Sequence, residues 1–261
     1  MSDAARLSTP AIGNKRRIGF YLAGGLFILA LVAVYGLVIQ NLHYPLAGWF
    51  AADFLGAHQL HDTVGPLLLW AAILGVVVQA IRPEQQIGAM QQTVVIATLL
   101  LVLALLTGFF VPPMVLFLLP LPMAALHPAR GQLLRMRGVN PWLLGLLLLA
   151  AVPLLDFAMA HIGLQQLALT GDTHAEKGHW LLLAAYALGI LGVGLLPAFR
   201  PRGWRIPAWS TGVLAGFFGL ASIILPPQAS HVGPVWGTLA ITWGIVYVAL
   251  AERTTNGPTK E

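Results

Sequence analysis

Eight apolar runs dominate the sequence, each of about the length that crosses the hydrocarbon core of a bilayer as a helix. They cover residues 18–40, 61–81, 92–110, 112–127, 141–161, 179–199, 208–226 and 232–251. The third and fourth derive from one stretch, Thr93 to Leu126, divided at Pro112–Pro113. That stretch is too long for one span and right for two, the second being short. Pro120 and Pro122 make the fourth run irregular, which a membrane helix tolerates where neighbours cover the freed backbone. Charged residues make up only 9% of the chain, against about 25% in a soluble domain. A water-soluble enzyme and a nucleic-acid binder are thereby excluded, and the absence of cysteine excludes disulfide and thiol chemistry. The first run is longer than a signal-peptide core, and no small-residue cleavage site follows it before Gln40–Asn41, so it is expected to stay as a span.

The few basic residues orient the chain. With eight spans and the N-terminus inside, Arg6, Lys15, Arg16, Arg17, Arg82, Arg130, Arg135, Arg137, Arg200, Arg202, Arg205, Arg253 and Lys260 lie on the cytoplasmic side, which is 13 of the 14. Lys177 alone faces outward. The span count and the orientation therefore support each other, and both termini are expected in the cytoplasm. The excess positive charge is a topology signal and implies no nucleic-acid partner.

Three landmarks recur in order along the two halves. His61-Asp-Thr-Val-Gly65 opens the second run, and His174-Ala-Glu-Lys-Gly178 precedes the sixth, 113 residues later by subtraction. The third and seventh runs end at Pro112–Pro113 and Pro226–Pro227, and the second and sixth at Arg82–Pro83 and Arg200–Pro201. The expected architecture is all-α: two duplicated four-helix units, 18–127 and 141–251, joined by a basic linker, 128–140. Cytoplasmic tails, 1–17 and 252–261, flank them.

On this topology seven of the eight histidines gather at the outer face: His43, His58, His61, His161, His174, His179 and His231. Only His127 is cytoplasmic. Outer loops need polar residues, but the outer side carries one Lys and no Arg, and a demand for mere polarity would not select imidazole so consistently. Ligand binding or proton transfer explains the set better. Neutral imidazole binds zinc, copper and iron. A haem needs axial groups from helices that face each other, and His174 or His179 facing His231 suits a haem b between the sixth and eighth spans. Gly178, with Gly233 and Gly237, would leave room for the macrocycle, the plainer reading being close helix contact. His61 is the corresponding first-half ligand, holding a second haem alone or paired with Met114, or forming a substrate site with His58 and His43. The fourth run offers Phe117 where the eighth has His231. As a bare metal centre the ligands would be His61, His174 and His231. Asp156, inside the fifth run, and His58 are the proton-transfer candidates. Trp180 and Trp236 read as interfacial anchors.

This layout resembles heme A synthase and related tandem b-type cytochromes. That family duplicates a four-helix unit, with haem-ligating histidines near the outer ends of the second, fourth, sixth and eighth spans. His61, His174 (or His179) and His231 match three of those places. The resemblance implies haem b binding with electron transfer or oxidoreduction at the outer, periplasmic face of a bacterial inner membrane. Its partner would be quinol or a periplasmic electron-transfer protein. The fourth-span histidine and an outer-loop cysteine pair are absent, which points away from heme A synthesis itself. Two rival readings share the same histidines: an outer-face copper- or zinc-handling protein, and a non-catalytic subunit holding haem or pigment among other membrane subunits.

Overall fold

The computed structural model describes residues 10–167 and 171–255. Every regular element among them is helical. Seven stretches are long and apolar enough to cross a membrane: Asn14–Val38, Ala52–Ala80, Ile87–Thr107, Pro141–Gln166, His179–Ala198, Arg205–Ile224 and Gly233–Thr254. The fold is that of a multi-pass membrane protein, with apolar side chains such as Leu22, Leu29, Leu149 and Val152 turned outward, where lipid replaces water. The principal helices are α1 (Pro10–Leu31, continued as a π-helix over Val32–Val38), α2 (Pro66–Val77, entered through Gln59–Val64) and α3 (Ile87–Thr107). They continue with α4 (Pro120–Leu126), α5 (Pro141–Gln166), α6 (His179–Ala198), α7 (Arg205–Ile224) and α8 (Gly233–Thr255).

The fourth run differs from the other seven. Its apolar helix covers only Pro112–Leu126 and is built of two pieces, a 3₁₀ segment over Pro112–Leu118 and then α4. Proline causes this: four of these residues lack a backbone N–H, so an unbroken α ladder cannot form. Even so, the segment runs antiparallel along α1. Tyr35 meets Phe117 at a ring separation of 6.1 Å, and Phe20 meets His127 at 5.1 Å.

α2 and α6 form the centre. In each, 67% of the most apolar stretch is buried, against 22% in α1 and α8 and 17% in α5. Glycines let them approach their neighbours: a Cβ at Gly189 would lie 2.8 Å from Leu68, at Gly194 2.7 Å from Leu147, and at Gly192 2.9 Å from Val95. α7 and α8 pack backbone to backbone, Gly212 against Gly244 and Gly219 against Gly237. A Cβ at Gly237 would stand 2.7 Å from the Gly219 carbonyl oxygen.

The bundle has two polar ends. At one, His127 Nε2 donates to Gln79 Oε1 (3.2 Å), and the Gln79 amide donates to the carbonyls of Gly75 (3.1 Å) and Gln86 (3.0 Å). Asn140 caps α5 by accepting from the Trp142 and Leu143 amides, with Pro141 in the first turn. At the other end lie the segments before α2, α6 and α8.

Candidate functional site

The end opposite His127 gathers histidines from both halves of the chain. Gln59–Val64 brings in His61, with His58 one residue before it. A separate four-residue helix, Thr173–Glu176, carries His174. It is capped by Asp172, whose carboxylate accepts from the His174 amide at 3.0 Å. Gly178 then takes a left-handed conformation (φ 71°), breaks the helix and lets α6 begin at His179. His174 and Gly178 therefore do not share a helical face. The room beside Gly178 is filled as well, since a Cβ there would lie 2.5 Å from the Phe109 ring. Gly237 serves helix packing against Gly219.

Four imidazoles are in mutual contact. His58 lies 4.3 Å from His174 and 4.9 Å from His179 between ring centres, and His61 lies 4.9 Å from His174. His61 also stacks nearly parallel on His179 at 5.4 Å. Trp180 closes the group, stacked on His174 at 4.7 Å and edge-on to His61 at 5.3 Å. Its Nε1 donates to Asp172 Oδ2 at 2.9 Å. That bond, with the His174 and Ala175 amides, holds the Asp172 carboxyl below the usual carboxylate range.

The hydrogen bonds of the group fall into two chains. In the first, Thr173 Oγ1 meets His58 Nε2 at 3.2 Å, His58 Nδ1 meets His179 Nδ1 at 3.0 Å, and His179 Nε2 stands 3.4 Å from Asp62 Oδ1. A carboxylate accepts only, so Asp62 favours the His179 proton on Nε2. His179 Nδ1 is then the acceptor, His58 Nδ1–H donates to it, and the Thr173 hydroxyl donates to His58 Nε2. The second chain runs through Ser230. His161 Nδ1 donates to the Phe157 carbonyl at 2.7 Å, its Nε2 meets Ser230 Oγ at 2.6 Å, and the same hydroxyl meets His61 Nε2 at 3.1 Å.

Sequence reasoning singled out His58, His61, His174 and His179, and the fold brings these together. His161, read as the end of the fifth span, lies within α5 and joins through Ser230. His231 stands apart: its Nδ1 accepts from the Gly233 amide at 3.1 Å, and it makes no ring contact with another histidine among the described residues. His43 is exposed and lies against its neighbour Tyr44, the rings tilted at 4.2 Å. Asp156 is exposed on α5, while His161 turns inward toward Ser230. Ser230, Thr173 and the site role of Trp180 were missed. The one local signal for Ser230 is its place directly before His231, after the double proline.

The histidines read as haem ligands bond to protein groups in this structure, His231 through Nδ1 to the Gly233 amide and the others as follows. All five Nε2 atoms of His58, His61, His161, His174 and His179 face a protein partner, Thr173, Ser230, Ser230, the Ala57 carbonyl (3.4 Å) and Asp62 respectively. Of the three glycines read as room for a macrocycle, Gly178 is filled by Phe109 and Gly237 by α7, whereas a Cβ at Gly233 would meet nothing within 4 Å. Among the described residues no group of three or more His, Cys, Asp or Glu is arranged to hold a metal ion. What the arrangement can do is store and pass protons, since each ring presents one nitrogen as donor and the other as acceptor.

Compared with known proteins, the chain matches no family model, no curated protein and no solved structure.

Proposed function

We propose that the chain is an eight-span protein of a bacterial cytoplasmic membrane, handling the protons of a redox reaction at the outer face with a quinol as the reacting partner. The observation that carries this reading is the ordered chain Thr173–His58–His179–Asp62, which joins an exposed hydroxyl to rings deep in the cluster. Quinol oxidation releases protons as well as electrons. The imidazoles accept and pass on the protons, and the electrons go to a separate redox protein of the membrane or periplasm. The aromatic surroundings of His61, with His179 stacked on it and His174 and Trp180 edge-on, suit an aromatic ring with hydroxyl groups.

Several features support the topology within this proposal. The fourth run has seven 3₁₀ residues and seven α residues, which rise about 25 Å together at about 2.0 and 1.5 Å each. That approaches the ~30 Å hydrocarbon core, and the run accompanies α1 from Tyr35 to Phe20. The end that holds His127 also collects Arg82, Arg130, Arg200, Arg202 and Arg205, as a cytoplasmic face requires. Duplication is supported by a shared irregularity, since Arg82 and Arg200 both precede proline in the left-handed region, at φ 51° and 53°. In each half, moreover, the first helix lies beside the fourth: α1 beside α4, and α5 beside α8 through Trp243 Nε1 donating to the Leu146 carbonyl at 2.9 Å.

Trp180 supplies the test. The purified protein in lipid nanodiscs is titrated with durohydroquinone while tryptophan fluorescence is followed. Saturable quenching that disappears in Trp180→Phe is expected. Wild-type protein without saturable quenching overturns the reading. A pyridine-haem extract of the same preparation is expected to lack a b-type band, and a stoichiometric band would replace proton handling by haem ligation as the function.

A further inference from the structure

The second hydrogen-bond chain fixes where the protons sit, because one end of it is a carbonyl. The Phe157 carbonyl oxygen can only accept, so the His161 nitrogen 2.7 Å away, Nδ1, carries the hydrogen. Neutral His161 then has its lone pair on Nε2. The Ser230 hydroxyl, 2.6 Å from that nitrogen, donates its single hydrogen there. Toward His61 the same oxygen has only lone pairs left, so His61 Nε2, at 3.1 Å, is the donor. Neutral His61 is thereby left with a bare lone pair on Nδ1.

That nitrogen has no hydrogen-bond partner in a side chain only 1% exposed, and it is the one orphaned histidine nitrogen among the buried atoms described. A buried polar atom without a partner is costly, and a hydrogen donated by a bound ligand would remove that cost. Ser230 carries a second sign of function. It lies in the left-handed region at φ 72°, where a non-glycine residue is strained, and this conformation sets its Oγ between a ring from the first half and a ring from α5.

We propose that Ser230 is a positioning residue that locks His61 in its Nε2–H form, so that His61 Nδ1 is a preset acceptor for a ligand's O–H or N–H group. This rests on the functional reading above only for the ligand class, a hydroxyl-bearing quinol. The proton placement stands on its own. It also accounts for the pairing of a first-half histidine with a second-half serine: the acceptor exists only when both halves are assembled.

The experiment has two arms. In the first, histidine labelled with nitrogen-15 is introduced into the full chain in nanodiscs at pH 7.5, and the His61 signals are assigned by their loss in His61→Gln. Wild type is expected to show a protonated Nε2 and a bare Nδ1. In Ser230→Ala the preference is expected to collapse to a mixture of both forms. Ser230→Gly removes the hydroxyl while relieving the backbone, so a correctly folded variant is available if Ser230→Ala is unstable. A wild-type His61 with hydrogen on Nδ1, or an Nε2–H form that survives in Ser230→Gly, overturns the proposal. In the second arm, durohydroquinone affinity is expected to fall about tenfold in both Ser230→Gly and His61→Gln, the size of one lost hydrogen bond. Failure of durohydroquinone to bind wild type, with the expected proton placement, refutes the quinol reading and leaves Ser230 in its role. Unchanged affinity in both variants refutes His61 Nδ1 as the acceptor.

Discussion

At the scale of single residues, two histidine environments separate structure from chemistry. His127 is fully buried, bonded to Gln79 and edge-on to Phe20. Burial pushes its imidazole below the ordinary value, so the unfolded chain takes up a proton that the folded chain resists. Its contribution to stability is complete above about pH 6.5, the unfolded value, and diminishes as the pH falls below it. Thermal unfolding of the wild type in detergent is expected to shift to lower temperature between pH 7.5 and 5. His127→Gln, which cannot charge, should flatten that dependence. His127→Ala leaves Gln79 short of a partner and should cost about 1–3 kcal/mol at neutral pH. His58 and His179 pose the opposite case, two rings sharing one hydrogen across 3.0 Å. A double-mutant cycle of His58→Gln and His179→Gln, read by denaturant unfolding, should return a coupling of about 0.5–1.5 kcal/mol. Additive effects would mean that the two rings do not bond.

Among the helices, the closest contact is that of α7 with α8, which four glycines make possible. In lipid, helices gain little from hydrophobic burial against each other, and close backbone approach supplies the packing instead. Gly219→Val inserts its side chain against the Gly237 carbonyl and must force the pair apart, at a cost of about 1–3 kcal/mol or more. Gly216, on the same helix, meets nothing within 4 Å of an added Cβ. Gly216→Ala is therefore expected to be neutral or to stabilise by up to about 1 kcal/mol through helix propensity. Melting temperatures of the two variants check both statements. Equal loss in both would contradict the packing described. Prolines act at this scale too: they divide the fourth run into a 3₁₀ and an α segment, which keeps it beside α1 without a full-length α ladder.

For the molecule as a whole, the absence of cysteine gives a clean background for single-cysteine labelling. Phe110→Cys and Gly138→Cys flank the fourth run at exposed positions, and Thr173→Cys marks the histidine end. With a membrane-impermeant maleimide on intact cells, Phe110→Cys and Thr173→Cys should label at once, and Gly138→Cys only after permeabilisation. Labelling of all three from outside would mean that the fourth run does not cross and that the basic linker is not cytoplasmic. The two polar ends of the bundle make these positions informative: one end holds most of the arginines and the other most of the histidines.

The sequence by itself determined the membrane fold. Apolar runs of span length with at most one charged residue each leave a helix as the only local structure that satisfies the backbone in lipid, and both the run boundaries and the irregular fourth run are legible in hydropathy and proline positions. It also collected seven histidines, His43, His58, His61, His161, His174, His179 and His231, at one end of the runs, but that His58, His61, His174 and His179 touch while His231 stands apart was decided by the fold. Which nitrogens bond to what was decided only by the tertiary structure. Ser230 lies 169 residues from His61 and 69 from His161, and nothing in a linear spacing announces a hydroxyl set between two rings by a left-handed backbone. Gly178 shows the same division. A small residue near a histidine reads as room for a cofactor, yet whether the room stays open depends on a side chain from elsewhere in the chain, and Phe109 fills it. Periodicity and charge are local properties of the chain, whereas proton placement is set by contacts between segments that meet only after folding.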